Sequence, residues 1–206
     1  MSRLISDLIR IGYLRSDNII DAFANIPRIE FIPSDLSRHA EANIALPVGY
    51  GQTITQPLIA AFMLELLDPQ KGQNILEIGS GSGWTTALLA RIVGENGHVE
   101  AMELIPELCK LGEKNVDKFH FVKNGIARFH CISAENGFKE NAPYDRILVS
   151  ASADEINVAF KEQLAVGGKM VIPIMNEIWF VEKNGADNFS IEKFAGFSFV
   201  PFIGKH

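Results

Sequence analysis

Eight consecutive residues, Leu76-Glu77-Ile78-Gly79-Ser80-Gly81-Ser82-Gly83, combine residue types and spacing suited to holding a small ligand. Glycines at alternate positions allow positive φ and let a ligand lie against bare backbone. An apolar extended stretch precedes the run, and a helix-like one, Trp84 to Ala90, follows it. Strand, glycine turn and helix set a nucleotide-like ligand at a helix N-terminus, where N–H groups can meet a carboxylate. A dinucleotide fingerprint would place a glycine three residues after its second one; counted from Gly81, that place holds Trp84. Glu77 is expected at the strand's end, accepting from a ligand amino group or orienting the loop, because a solvated charge suits so apolar a strand poorly. Glu103 closes the next extended stretch, Val99-Glu100-Ala101-Met102-Glu103. It lies about twenty residues beyond the glycine turn, where an acidic side chain can take both hydroxyls of a ribose. Glu100 competes, but strand alternation and the carboxyl edge of the strand favour Glu103.

These residues need a sheet to position them. From residue 73 the chain alternates, with strands expected at 73–78, 97–102, 127–132, 144–150 and 168–174 and helices at 82–93, 106–117 and 154–165. Crossovers between the first four strands imply an α/β fold with a doubly wound, Rossmann-like, mostly parallel sheet. Two further strands, 177–183 and 189–200, joined by Asn184-Gly185, predict an antiparallel C-terminal edge hairpin of undecided strand order. Ahead of the sheet, residues 3–25 predict two amphipathic helices, the second capped at Ser16-Asp17. Residues 34–42 suggest a short helix. Residues 43–56 show turn residues and little periodicity, which marks a functional or disordered loop. Thr55 looks like the N-cap of a helix from Pro57 to about Leu67.

Composition narrows the function classes. The 206 residues carry 19 Lys and Arg against 25 Asp and Glu, a net charge of −6. No basic stripe stands out, so a nucleic-acid partner is disfavoured. No apolar run reaches the length of a membrane span, and the first residues lack a signal-peptide core, so the expectation is a cytoplasmic protein. Cys109 and Cys131 stand apart, without the spacing of a disulfide framework or a zinc site. The five histidines lack metal or triad spacing, so no metal is expected. With 14 Phe, the aromatic residues suit a core better than a stacking platform. Trp84 fits either an adenosine pocket or simple packing. Asp154 reads as an N-cap. The fourth strand ends Leu148-Val149-Ser150-Ala151-Ser152-Ala153, without the Asn/Asp-Pro-Pro-Tyr/Phe run common in enzymes that methylate amino groups.

The Glu-x-Gly-x-Gly-x-Gly form of the turn resembles that of class I methyltransferases that use S-adenosyl-L-methionine (SAM). The likeness extends along nearly the whole chain to the protein-L-isoaspartate (D-aspartate) O-methyltransferase family. Ile26-Pro27-Arg28-Ile29-Glu30-Phe31-Ile32-Pro33 is similar to the family's Val-Pro-Arg-Glu-x-Phe-Val-Pro. Ala45 to Pro57 resembles its Leu-Pro-Ile-Gly-x-Gly-Gln-Thr-Ile-Ser-Gln-Pro loop, the most specific of the matches. Ala142 to Ile147, Gln163-Leu164, Gly167-Gly168 and Phe199-Val200-Pro201-Phe202 also fit. The resemblance implies one domain over 1–206, with N-terminal helices and a substrate loop in 1–56 and the Rossmann-like core in 57–206. It implies a monomer acting on isoaspartyl peptides and unfolded protein segments. The reaction implied is methyl transfer from SAM to the α-carboxyl of an isoaspartyl residue, with D-aspartyl residues as a further substrate class. The ester then closes to a succinimide, which hydrolyses in part to normal aspartate. Thr55 takes the place of the family's active-site serine. Gln52, Thr53, Ile54, Glu77, Gly79, Ser80, Gly81, Ser82, Glu103, Leu104, Ser133 and Ala134 are the expected cofactor contacts.

Three positions depart from the family pattern. Its Gly-Asp-Gly after the third strand is Ile132-Ser133-Ala134 here, its Ala-Tyr-x-Asp ahead of the loop is Ala40-Glu41-Ala42-Asn43, and the Glu after Val-Pro-Arg is Ile29. These leave two alternatives open: a SAM-dependent O-methyltransferase for another carboxyl or hydroxyl substrate, and a non-catalytic SAM- or peptide-binding module. Because Ser133 can accept one hydrogen bond but carries no charge, Ser133→Asp is expected to tighten SAM binding. Titration calorimetry giving equal or weaker affinity would contradict that alignment.

Overall fold

The computed structural model describes residues 1–197 and 199. The chain opens with α1 (Arg3–Arg10) and α2 (Asp17–Asn25), then 3-10 turns at Arg28–Phe31 and Ser34–His39. A hairpin of β1 (Leu46–Gly49) and β2 (Gln52–Ile54) leads into α3 (Pro57–Leu67). The remaining elements are β3 (Asn74–Ile78), α4 (Trp84–Val93), β4 (His98–Met102), α5 (Pro106–Asp117), β5 (Ala127–His130), β6 (Tyr144–Val149), α6 (Val158–Gln163), β7 (Leu164–Ile174), β8 (Glu177–Gly185) and β9 (Asn188–Ala195).

Seven strands form one sheet in the order β5-β4-β3-β6-β7-β8-β9. The pairs β3–β4, β4–β5, β3–β6 and β6–β7 are parallel, and β7–β8 and β8–β9 are antiparallel. The chain runs outward from β3 through β4 to β5, then returns to β6 on the other side of β3. Such a reversal opens a crevice beyond the carboxyl ends of the strands. The last strands, whose order the sequence left undecided, form a simple meander.

Strand alternation sorts the core onto two faces. Ile75, Val99, Ala127, Leu148 and Val171 face a cluster built with α2, α3, α4 and α5. Leu76, Ile78, Met102, Ile147, Val149, Met170 and Ile172 face the other side, with Phe138, Tyr144 and Phe160 of α6. Strands buried on both faces read as near-continuous apolar runs, which is why they were visible in the sequence.

Several boundaries differ from the sequence expectation. Residues 43–56 contain an ordered hairpin whose Leu46, Val48 and Ile54 are buried in the first core cluster. Its turn, Tyr50-Gly51, has φ of 54° and 72°, the left-handed pair of a type I′ hairpin. The expected helix at 34–42 is a 3-10 turn. Thr55 is not the cap of α3: Gln56 holds that position without a side-chain bond, and Asn43 Oδ1 accepts from the Leu58 N–H at 2.9 Å instead. Ser16 does sit at the N-cap of α2, but its hydroxyl goes to Glu65 of α3, whose other oxygen accepts from the amides of Arg15 and Ser16. α6 is shorter than 154–165, because Asn157 rather than Asp154 caps it, accepting from the Ala159 N–H. The β8–β9 turn is Ala186-Asp187, with Asn184 absorbed in a bulge before Gly185 pairs with Asn188. The final strand, expected over 189–200, is described as far as Ala195, and Phe199-Val200-Pro201-Phe202 falls largely outside the described residues.

Candidate active site

One crevice joins the glycine turn to the hairpin. It is lined by Ile78 to Ser82 after β3, Met102 to Ile105 after β4, Ile132 and Ala134 after β5, and Ser150 and Ala151 after β6. Gln52, Thr53, Ile54 and Thr55 close it from the hairpin side. Its empty space, open solvent at the mouth included, is about 820 Å³.

The glycine turn is held from behind. The amides of Gly79 and Ser80 donate to Met102 O (2.9 and 3.1 Å), the Gly83 amide to Ser80 O (2.9 Å), and Asn115 Nδ2 to Ser82 O (3.0 Å). Gly83 has φ of 89°, and a Cβ there would meet Gly112 O and Val116 Cγ2 at 2.8 Å. A Cβ on Gly112 would in turn meet Gly81 O at 2.8 Å. Thus α5 presses directly on the turn. Gly112 and Asn115 were not singled out from the sequence, although a glycine inside a helical pattern signals such a close approach.

Polar groups of the turn remain for a ligand among the described residues. Ser80 Oγ is buried in the crevice wall without a hydrogen-bond partner. The Ser82 N–H, beside it near the N-terminus of α4, has none among the described residues either. A buried unpaired hydroxyl costs stability unless something binds it. The donor set at a helix N-terminus fits a carboxylate, as one end of SAM provides.

Glu77 and Glu103 take different places. Glu77 shares the parity of Ile75, so its side chain points beneath α4, where it is fully buried and accepts from the hydroxyls of Thr85 and Thr86. It does not line the crevice. Burial pushes its pKa from 4.5 up to about 7, partly opposed by the two threonine hydrogen bonds. This acid has a raised folded pKa, so its favourable contribution is complete below the unfolded value and is lost as pH rises through 7. Glu77→Gln should therefore gain stability relative to the natural protein on going from pH 5 to pH 8, by roughly 2–3 kcal/mol. Urea unfolding at both pH values reads this; a constant difference would contradict it.

Glu103 faces the crevice. One carboxylate oxygen accepts from the Gly81 N–H at 2.9 Å and the other from the Ile105 N–H at 3.0 Å. These bonds fix the carboxylate plane and leave further lone pairs. Glu100 is occupied elsewhere. It lies on the opposite face, accepting from Asn141 and paired with His130 at 2.6 Å and with Arg128 at 3.5 Å. Burial pushes its pKa up, but the His130 and Asn141 hydrogen bonds outweigh this and hold it below the usual range.

Of the remaining expected contacts, Leu104 and Ala134 line the crevice. Ser133 does not; its hydroxyl accepts from the Glu135 N–H at 3.4 Å, while its neighbours Ile132 and Ala134 face the site. β5 ends at His130, two residues before the expected end, and so leaves Ile132 in the loop beyond the sheet edge. Met102, Ile105, Ile132, Ser150 and Ala151 are lining residues that the sequence did not single out. Trp84 occupies both settings at once. It lines the crevice and packs edge-on against Phe23, with its indole N–H donating to Ile26 O. Cys109 is buried and Cys131 exposed, and burial pushes the Cys109 thiol up to about 12, which makes it a poor nucleophile at neutral pH.

The geometry is that of a crevice for an elongated polar ligand, with a hydroxyl-bearing hairpin across its mouth. A family model described as Protein-L-isoaspartate(D-aspartate) O-methyltransferase (PCMT) matches residues 1–206. The chain belongs to that family. A protein-L-isoaspartate O-methyltransferase of Methanopyrus kandleri is 41% identical over 210 residues, covering 98% of this chain and 91% of that protein. One of Methanothermobacter thermautotrophicus is 36% identical, covering 99% and 95%. A structure named protein-L-isoaspartate O-methyltransferase superposes with a TM-score of 0.86 at 28% identity, covering 98% of this chain and 65% of that one. A Plasmodium falciparum protein assigned to the same enzyme class, solved with S-adenosyl-L-homocysteine, also gives 0.86 at 21% identity, covering 97% and 96%, a likeness of fold.

Proposed function

We propose that this enzyme transfers a methyl group from SAM to the α-carboxyl of L-isoaspartyl residues in damaged peptides and unfolded protein segments. The observation that carries the proposal is that the glycine turn, Glu103 and Thr55 line one crevice. Glu103 accepts from the two ribose hydroxyls, and Ser80 Oγ with the Ser82 N–H holds the amino-acid carboxylate. Met102, Ile105, Ile132 and Ala134 supply an apolar wall for the adenine. When bound, SAM supplies an electrophilic methyl carbon on a sulfonium.

The chain itself has little proton chemistry to perform. A substrate carboxylate is already ionised near neutral pH. The work is alignment of the oxygen with the methyl carbon, and exclusion of water. Thr55 donates its hydroxyl hydrogen to the substrate carboxylate, and Gln52, Thr53 and Ile54 wall the site above it. The β-branch limits Thr55 to fewer χ1 rotamers than a serine would have, which favours a fixed hydroxyl. Glu77 acts one layer back, orienting the start of α4 through Thr85 and Thr86.

The groups assigned to this reaction all lie on one chain, an arrangement that suits a monomer. Both thiols are free, which suits a reducing compartment such as the cytoplasm. Among the described residues, no helix is long and apolar enough to cross a membrane. The test is a matched peptide pair, one with isoaspartate and one with aspartate, incubated with labelled SAM. Base-labile label on the isoaspartyl peptide alone supports the proposal. Equal labelling of both, or of neither, overturns it.

A further inference from the structure

Arg28 is a buried cation with no carboxylate partner among the described residues. Only 5% of its surface is exposed, and no salt bridge includes it. Its guanidinium instead gathers main-chain carbonyls. Nη1 donates to Ala40 O (3.4 Å) and Ala42 O (3.3 Å). Nη2 donates to Ile44 O (2.9 Å), Ile54 O (3.4 Å) and Thr55 O (3.1 Å). The guanidinium carbon lies over Trp84, 5.4 Å from the ring centroid. Burial lowers its pKa to about 10, which leaves it charged at neutral pH.

The identity of these carbonyls matters more than their number. Ile44 lies just ahead of β1, and Ile54 and Thr55 end and follow β2. One guanidinium therefore closes both stems of the hairpin at its base. The β1–β2 pairing is short and has a register shift between Pro47 and Gly49, so few ladder bonds join the two stems. A planar fork with five N–H donors can serve carbonyls from two directions, whereas the compact ammonium of lysine cannot. The arrangement carries costs: an ion is taken from water without a counter-charge, and Nε is buried with no partner. A methionine would fill the space without those costs, but could not hold the stems. What the arginine adds is a fixed position for Thr55.

We propose that Arg28 is a positioning residue for methyl transfer, fixing Thr55 against the crevice by clamping the base of the hairpin that carries it. This rests on the carboxyl-methylation reading above. Trp84, whose ring lies beneath the guanidinium carbon, lines the same crevice as Thr55.

The experiment is a double-mutant cycle on the full chain with Arg28→Lys, Thr55→Val and the pair, reading kcat and KM for an isoaspartyl peptide and the Kd for S-adenosylhomocysteine. Arg28→Lys keeps the charge and is chosen because Arg28→Met is more prone to unfold. The expected result is a kcat lowered about tenfold or more by each single substitution, a Kd within about threefold of the natural protein in all variants, and a pair no slower than the slower single variant by more than about threefold. Non-additivity of this kind marks two residues acting as a unit. Four results overturn the proposal: kcat unchanged in Arg28→Lys, kcat unchanged in Thr55→Val, losses that multiply in the pair, or a Kd that weakens in step with kcat, which would mean that Arg28 supports the whole fold. A natural enzyme inactive on the isoaspartyl peptide sinks the methylation reading itself, so the two failures are told apart.

Discussion

Glu103→Ala should weaken S-adenosylhomocysteine binding by roughly 100-fold or more, with the fold intact. The carboxylate is fixed by the amides of Gly81 and Ile105 and faces the crevice. Two ribose hydroxyls donating to it are charge-assisted bonds, each worth about 1.5–3 kcal/mol. Their joint loss exceeds 1.4 kcal/mol per tenfold by enough to give about two decades. Glu103→Gln retains one acceptor and removes the charge, so it should fall between, near tenfold. The carboxamide also cannot accept from both amides, which adds a smaller loss through the turn. Titration calorimetry checks both, and a Glu103→Ala affinity within a few-fold of the natural protein would remove the ribose role.

The second large effect concerns stability. Gly83→Ala places a methyl 2.8 Å from Gly112 O and from Val116 Cγ2, at φ of 89°. A left-handed non-glycine residue costs about 1–2 kcal/mol, and crowding a packed helix contact adds about 1–3 kcal/mol. A loss of about 3–4 kcal/mol lowers the melting temperature by roughly 6–16 °C in a domain of this size. Gly81→Ala is the control. Its Cβ meets nothing within 4 Å, although φ is 54°, so only the smaller conformational cost applies. That methyl enters the crevice instead, and the variant should lose ligand affinity out of proportion to stability. Thermal melts with and without S-adenosylhomocysteine separate the two; similar melting losses in both variants would contradict the packing argument.

The parallel sheet was legible because its strands are buried on both faces and read as apolar runs between helical stretches. The glycine turn and Glu103 were legible for a related reason. Each follows the end of a strand, and for Glu103 alternation also gives the direction of its side chain. Glu77 shows where that logic stops. Parity places it beneath α4, but only the threonines at 85 and 86 settle that its oxygens are taken from behind the crevice. The hairpin at 46–54 was hidden because its strands are three and four residues long and include Pro47. Too little alternation exists there to count. Thr55 reads as a cap because a threonine two residues before a proline-started helix suits that role, whereas the actual acceptor, Asn43, lies fifteen residues before the Leu58 N–H that it takes. Arg28 carried no local signal. Its partners come from two segments that only the folded chain brings together.

Ser133 stands between these cases. The resemblance sets it among the expected cofactor contacts, at the place of the family's Asp, yet the loop turns its hydroxyl toward the Glu135 N–H. An aspartate there, one atom longer than serine, is what the tighter-binding prediction relies on to reach the site.

A crystal structure with S-adenosylhomocysteine and an isoaspartyl peptide tests the whole arrangement most directly. It should show both ribose hydroxyls within hydrogen-bonding distance of Glu103, and the Thr55 hydroxyl bonded to a substrate carboxylate that points at the sulfur. A sugar turned away from Glu103, or a carboxylate held out of reach of Thr55, would contradict it.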